Sequence, residues 1–114
     1  MDESILSDLV GKRLTSVKFV LDYCIIGFAD RCALSTTVWP ELRGESSPMS
    51  VEKSGFRNRL CSFIDHQVVT ITLSANQTLD IHFDLGTMHF QFSDELGPKD
   101  AGMFFNSKRE SVFL

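Results

Sequence analysis

Leu79-Asp80-Ile81-His82-Phe83-Asp84-Leu85-Gly86-Thr87-Met88-His89-Phe90-Gln91-Phe92 alternates apolar and polar residues on both sides of a central Leu-Gly pair. Alternation with period two puts every second side chain on one face of a sheet, and two such runs joined by a short break read as an antiparallel hairpin. With Leu85 and Gly86 as a two-residue loop, Asp84 pairs with Thr87, Phe83 with Met88 and His82 with His89. Leu79, Ile81 and Phe83 then face the core. Asp80, His82, Asp84, His89 and Gln91 share the opposite face. Directly opposed residues have Cβ atoms about 5 Å apart, within reach of shared zinc coordination or of proton transfer. A solvated polar face of a half-buried sheet has the same pattern with no chemistry attached.

The rest of the chain carries the same period. Val17, Phe19 and Leu21 alternate within Arg13 to Asp22, Cys24, Ile26 and Phe28 within Tyr23 to Phe28, and Cys32, Leu34, Thr36 and Val38 after a polar Ala29-Asp30-Arg31 turn. Pro40 ends that third strand, because proline cannot donate to a ladder. Val69, Ile71 and Leu73 make a further strand ahead of the quoted hairpin, reached through a Ser74-Ala75-Asn76-Gln77 turn. Two stretches have helical spacing instead. Ile5, Leu6, Leu9 and Val10 form one stripe stopped by Gly11, and Phe56, Leu60, Phe63 and Ile64 form another that Ser54 can cap. Residues 39–53 read as a flexible surface loop, rich in Gly, Ser, Pro and charge. After a Gly97-Pro98 break, Met103, Phe104, Phe105, Val112 and Phe113 require burial in the core or an interface.

The expected class is α+β and β-rich, with six to seven antiparallel strands and two short helices in a single domain over residues 1–114. Hairpin-spaced strands leave no room for βαβ crossovers. Two arrangements satisfy this class. One is a single sheet with the helices at its edges. The other is a duplicated unit of helix plus three-stranded meander over residues 3–38 and 54–93, since apolar positions of the first half overlie those of the second at shifts of 54 and 55.

Leu9-Val10-Gly11-Lys12-Arg13 leading to Phe19-Val20-Leu21-Asp22-Tyr23, Gly55-Phe56-Arg57-Asn58-Arg59-Leu60-Cys61-Ser62-Phe63-Ile64 leading into Val68, and the closing Gly97-Pro98-Lys99-Asp100-Ala101 resemble a family of small uncharacterised bacterial proteins, some of which are regarded as toxin immunity proteins. The resemblance implies a cytoplasmic inhibitor that binds and occludes one toxin domain. It carries over no catalytic residues. Asp65 departs from the pattern, standing where the family's helix end implies glycine.

Composition bounds the function. A net charge of -4 gives no basic field for nucleic acid, and no apolar run approaches the ~18 residues of a membrane span. The acidic start Met1-Asp2-Glu3-Ser4 lacks the basic region of a secretory signal, so a cytoplasmic location is expected. Cys24, Cys32 and Cys61 have no metal-type spacing and read as reduced, buried thiols. A Cys61 nucleophile with His66 as its base is the enzymatic counter-reading. There is no Gly-rich phosphate loop, HExxH pattern or serine elbow, and no cofactor is expected.

Two functions from different classes follow. The first is a binding protein for a basic protein partner, with Tyr23 and Trp39 as aromatic anchors and Glu41, Glu45 and Glu52 of the acidic loop steering the encounter. Val20, Tyr23 and Ile25 lie on a second apolar face, which the first helix, the tail, a second copy or a partner would cover. The second is a metal-binding or enzymatic domain built on Asp80, His82, Asp84 and His89. His66 would be a third nitrogen ligand if the fold brought it over the sheet.

Overall fold

Cys24, Ile26 and Phe28 are buried, while Tyr23, Ile25 and Gly27 between them are half-buried. Leu79, Ile81 and Phe83 repeat that pattern against Thr78, Asp80 and His82. This alternation is realised in two antiparallel sheets of a computed structural model that describes residues 3–44, 47–74, 78–92 and 102–113. The first sheet contains β1 (Leu14–Val20), β2 (Tyr23–Phe28), β3 (Ala33–Thr36), β8 (Gly102–Phe105) and β9 (Ser111–Phe113), in the order β1-β2-β3-β8-β9. The second contains β4 (Glu41–Arg43), β5 (Val68–Leu73), β6 (Thr78–Phe83) and β7 (Thr87–Gln91), in the order β4-β7-β6-β5. Helix is scarce. A single turn, α1 (Glu3–Leu6), continues as a 3-10 turn over Ser7–Leu9, and α2 spans Phe56–Cys61. No helix among the described residues is long and apolar enough to cross a membrane.

Both helices and both sheets contribute to one buried cluster, including Leu6, Leu9, Phe56, Leu60 and Phe63 beside Ile26, Leu34, Phe104, Ile81, Met88 and Phe90. Aromatic contacts join the elements. The Phe63 and Phe83 rings meet edge to face at 5.1 Å. Trp39 stacks on Phe19 at 5.9 Å and meets Phe56 at 6.3 Å.

The starts of β1 and β5 cross one another, and their contacts map onto each other when residue numbers shift by 54. Gly11 N–H donates to Val68 O and Asp65 N–H to Leu14 O, each at 2.8 Å. Leu14 N–H donates to His66 O and Val68 N–H to Lys12 O. Each strand then has a β-bulge at the matching place, between Leu14 and Ser16 and between Val68 and Thr70. The fourth strands are exchanged. β4 follows the first meander but pairs with β7 of the second, and β8 follows the second meander but pairs with β3 of the first.

The loop expected over residues 39–53 contains β4, whose Leu42 is 2% exposed and exchanges two backbone hydrogen bonds with Met49. Three residues, Glu-Leu-Arg, are too few to show a period, so the strand was hidden among turn formers. Leu21 is 94% exposed in the β1–β2 turn, and the bulge at Val68 turns that residue inward and leaves Val69 59% exposed. Ser54 does not cap α2: the cap position belongs to Gly55 at φ 89, and Ile64 lies at the exposed margin of the apolar stripe. The tail is spent on extending the first sheet past β3 rather than on covering Tyr23 and Ile25. Turn residues 75–77, the Gly97-Pro98 break and Glu45 lie outside the described residues.

Candidate functional site

The outward face of the second sheet gathers most of the polar residues singled out in the sequence, in a register different from the expected one. Asp80 is the partner of His89, and His82 is the partner of Thr87. The turn is therefore centred one residue earlier, on Asp84 and Leu85, and is closed by Phe83 N–H donating to Gly86 O at 2.8 Å. Packing explains this. Gly86 lies so close to β4 that an added Cβ would collide with Arg43 O, and the shifted turn delivers its backbone there. The expected pairs of Asp84 with Thr87 and His82 with His89 do not form, although both histidines share the outward face and are half-buried.

One row of side chains crosses the whole sheet. Glu41 on β4 is the partner of His89 on β7, His89 of Asp80 on β6, and Asp80 of Thr72 on β5. His89 Nδ1–H donates to Asp80 Oδ1 at 2.5 Å. This bond assigns the proton to Nδ1 and leaves Nε2 as the acceptor in the neutral ring. Asp80 and His89 side chains retain 23% and 21% of their accessible surface. Arg43 Nε donates to Glu41 Oε1 at 2.6 Å along β4. His82 shares hydrogen bonds with Thr72 Oγ1 at 2.9 Å and Thr87 Oγ1 at 3.0 Å, which fixes its ring between β5 and β7. Arg43, Thr72 and Thr87 escaped the sequence-based reading. The signal for Thr70 and Thr72 was present, since they alternate with Ile71.

Among the described residues no three His, Cys, Asp or Glu side chains are grouped to hold a metal ion. His66 Nδ1–H donates to Asp84 Oδ1 at 2.9 Å. Cys61 is half-buried rather than buried as expected. Cys24 and Cys32 are buried, and burial pushes both thiols up to about 11, in Cys32 with the help of the Asp8 carboxylate. Such thiols are poor nucleophiles at neutral pH.

The proposed partner-binding residues are distributed over the molecule. Trp39 is half-buried between Phe19 and Phe56, so its ring belongs chiefly to internal packing. Glu52 is exposed and accepts a 3.3 Å hydrogen bond from Ser50 Oγ. Tyr23 is half-buried on the outward face of the first sheet, where Ile25, Ala33 and Met103 are also half-buried and Phe105 is 40% exposed. Among the described members of this set, Glu41 alone joins the histidine face. No protein-family model, curated protein or solved structure matches the chain.

Proposed function

We propose that this chain is a non-enzymatic cytoplasmic binding protein of the immunity type, which occludes a basic toxin domain through the outward face of its second sheet. The Glu41–His89–Asp80 row carries the reading. Two carboxylates, on the strands β4 and β6 that flank β7, are held in place by Arg43 and His89, with part of their surface open to a partner. Prefixed side chains forfeit little rotamer entropy on binding, and carboxylates complement the positive cleft of a nucleic-acid-cutting toxin. The net charge of -4 favours the same encounter.

Co-purification from the source cells identifies the partner, and association is then followed with Glu41→Lys and Asp80→Asn. Each substitution is expected to slow association at least about tenfold at low salt and to flatten its salt dependence. Unchanged association in both variants would remove this face from the interface and turn attention to Tyr23, Ile25, Met103 and Phe105.

A further inference from the structure

Four strands end the two sheets, and three of them are blunted. β4 and β9 have three residues each, and the outer side of β4 is engaged by Met49. β1 carries the exposed Lys18, a charge of the kind that discourages edge-to-edge pairing. β5 differs. Its run Val68-Val69-Thr70-Ile71-Thr72-Leu73 has no charge, glycine or proline, and the position matching Lys18 under the shift of 54 is Thr72. Among the described residues, the outer edge of β5 is engaged only at its start, by the Arg13–Gln67 bridge and the bonds of Val68 with Gly11 and Lys12.

Ladder phase shows which groups this edge offers. Ser74 N–H donates to Thr78 O, and Thr72 opposite Asp80 has the same phase, so their backbone groups turn toward β6. Those of Ile71 and Leu73 turn outward. The bulge between Val68 and Thr70 confines the regular edge to residues 70–74, whose midpoint is Thr72.

We propose that this edge pairs with the same edge of a second copy, antiparallel about a two-fold axis at Thr72, joining two four-stranded sheets into one of eight. Ile71 then exchanges N–H···O bonds with Leu73 of the copy, and Leu73 with its Ile71, giving four backbone hydrogen bonds. The half-buried Ile71 and Leu73 side chains meet on the core side, where both already flank the buried cluster. On the polar side Thr72 meets Thr72, a favourable cross-strand pair with no like charges opposed. A register displaced by one residue would set Ile71 against Thr72 and join unlike faces. This self-complementarity selects a second copy over a foreign strand.

The full chain alone tests it, independently of any toxin. Sedimentation of the wild type is expected to show a monomer–dimer equilibrium, with Thr72→Ser within about threefold of it and Thr72→Lys, which copies Lys18, weakening association at least about tenfold. In a Cys61→Ser background, Thr72→Cys should oxidise to a covalent dimer, because opposed residues of a non-hydrogen-bonded pair have Cα atoms about 4.5 Å apart. Thr70→Cys should form no covalent dimer, since its counterpart would lie about 13 Å away. A wild type that stays monomeric at ~1 mM, or Thr70→Cys crosslinking as readily as Thr72→Cys, overturns the proposal.

Discussion

Gly11 and Asp65 occupy matching points of the β1–β5 crossing, both with left-handed backbone, at φ 87 and φ 77. Glycine takes this conformation without strain; a residue with a Cβ does so at a cost of about 1 kcal/mol. An added Cβ at Gly11 meets nothing within 4 Å, so strain acts there without collision. Gly11→Ala is therefore expected to lower stability by about 1 kcal/mol in urea unfolding. Asp65→Gly should stay within about 0.5 kcal/mol of wild type: strain relief is offset by greater unfolded-chain freedom and the lost exposed Arg13–Asp65 ion pair. A large loss in Asp65→Gly would show that the Arg13 contact governs the crossing.

Leu42→Ala separates a strand from a loop. Leu42 is 2% exposed and belongs to the buried cluster, so the truncation should cost about 2–4 kcal/mol. A loss below about 0.5 kcal/mol, typical of surface positions, would mean that β4 is not docked.

Asp8 ties the tail to the 3-10 turn that follows α1. It accepts hydrogen bonds from Ser107 N–H at 3.1 Å and Ser107 Oγ–H at 2.7 Å, and these hold its carboxyl below the ordinary value of 3.8. A depressed folded-state value means stability that is present above the ordinary value and is lost as pH falls through the folded one. Asp8→Asn should thus lower stability at neutral pH, flatten the acid limb of the stability profile and speed amide exchange at Ser107. An acid limb identical to wild type would disprove the linkage.

The thiols give an alkaline counterpart. Burial raises Cys24 and Cys32 from 9.0 to about 11, so their contribution is complete below pH 9.0 and is lost as pH climbs toward 11. Under native conditions at pH 8, a thiol reagent should modify the partly exposed Cys61 first and the other two at the rate of unfolding. Three equally fast thiols would contradict the burial of β2 and the turn before β3.

Much of this was legible in the sequence wherever large apolar residues recur at every second position. Cys24-Ile26-Phe28, Leu79-Ile81-Phe83 and Met88-Phe90-Phe92 are buried as their alternation requires, and β-rich antiparallel architecture follows from them. Pairing across turns was not legible, because it depends on contacts far along the chain. The close passage of Arg43 O beside Gly86 goes with a turn centred on Asp84-Leu85 where Leu-Gly alone suggested Leu85-Gly86. For the same reason Glu41 could not be placed beside His89: that neighbourhood exists only once β4 has crossed to the other sheet.

The exchange of fourth strands sets a schedule for synthesis. β3 emerges from the ribosome about 70 residues before its outer partner β8, and at ~5–20 residues per second that interval lasts roughly 3–14 s. β4 likewise waits for β7. Nascent chains stalled short of residue 102 should therefore remain open to protease across Ala33–Thr36, and gain resistance once Gly102–Phe105 has cleared the exit tunnel. Protection already complete in the shorter chains would show that the first sheet closes without its late strand.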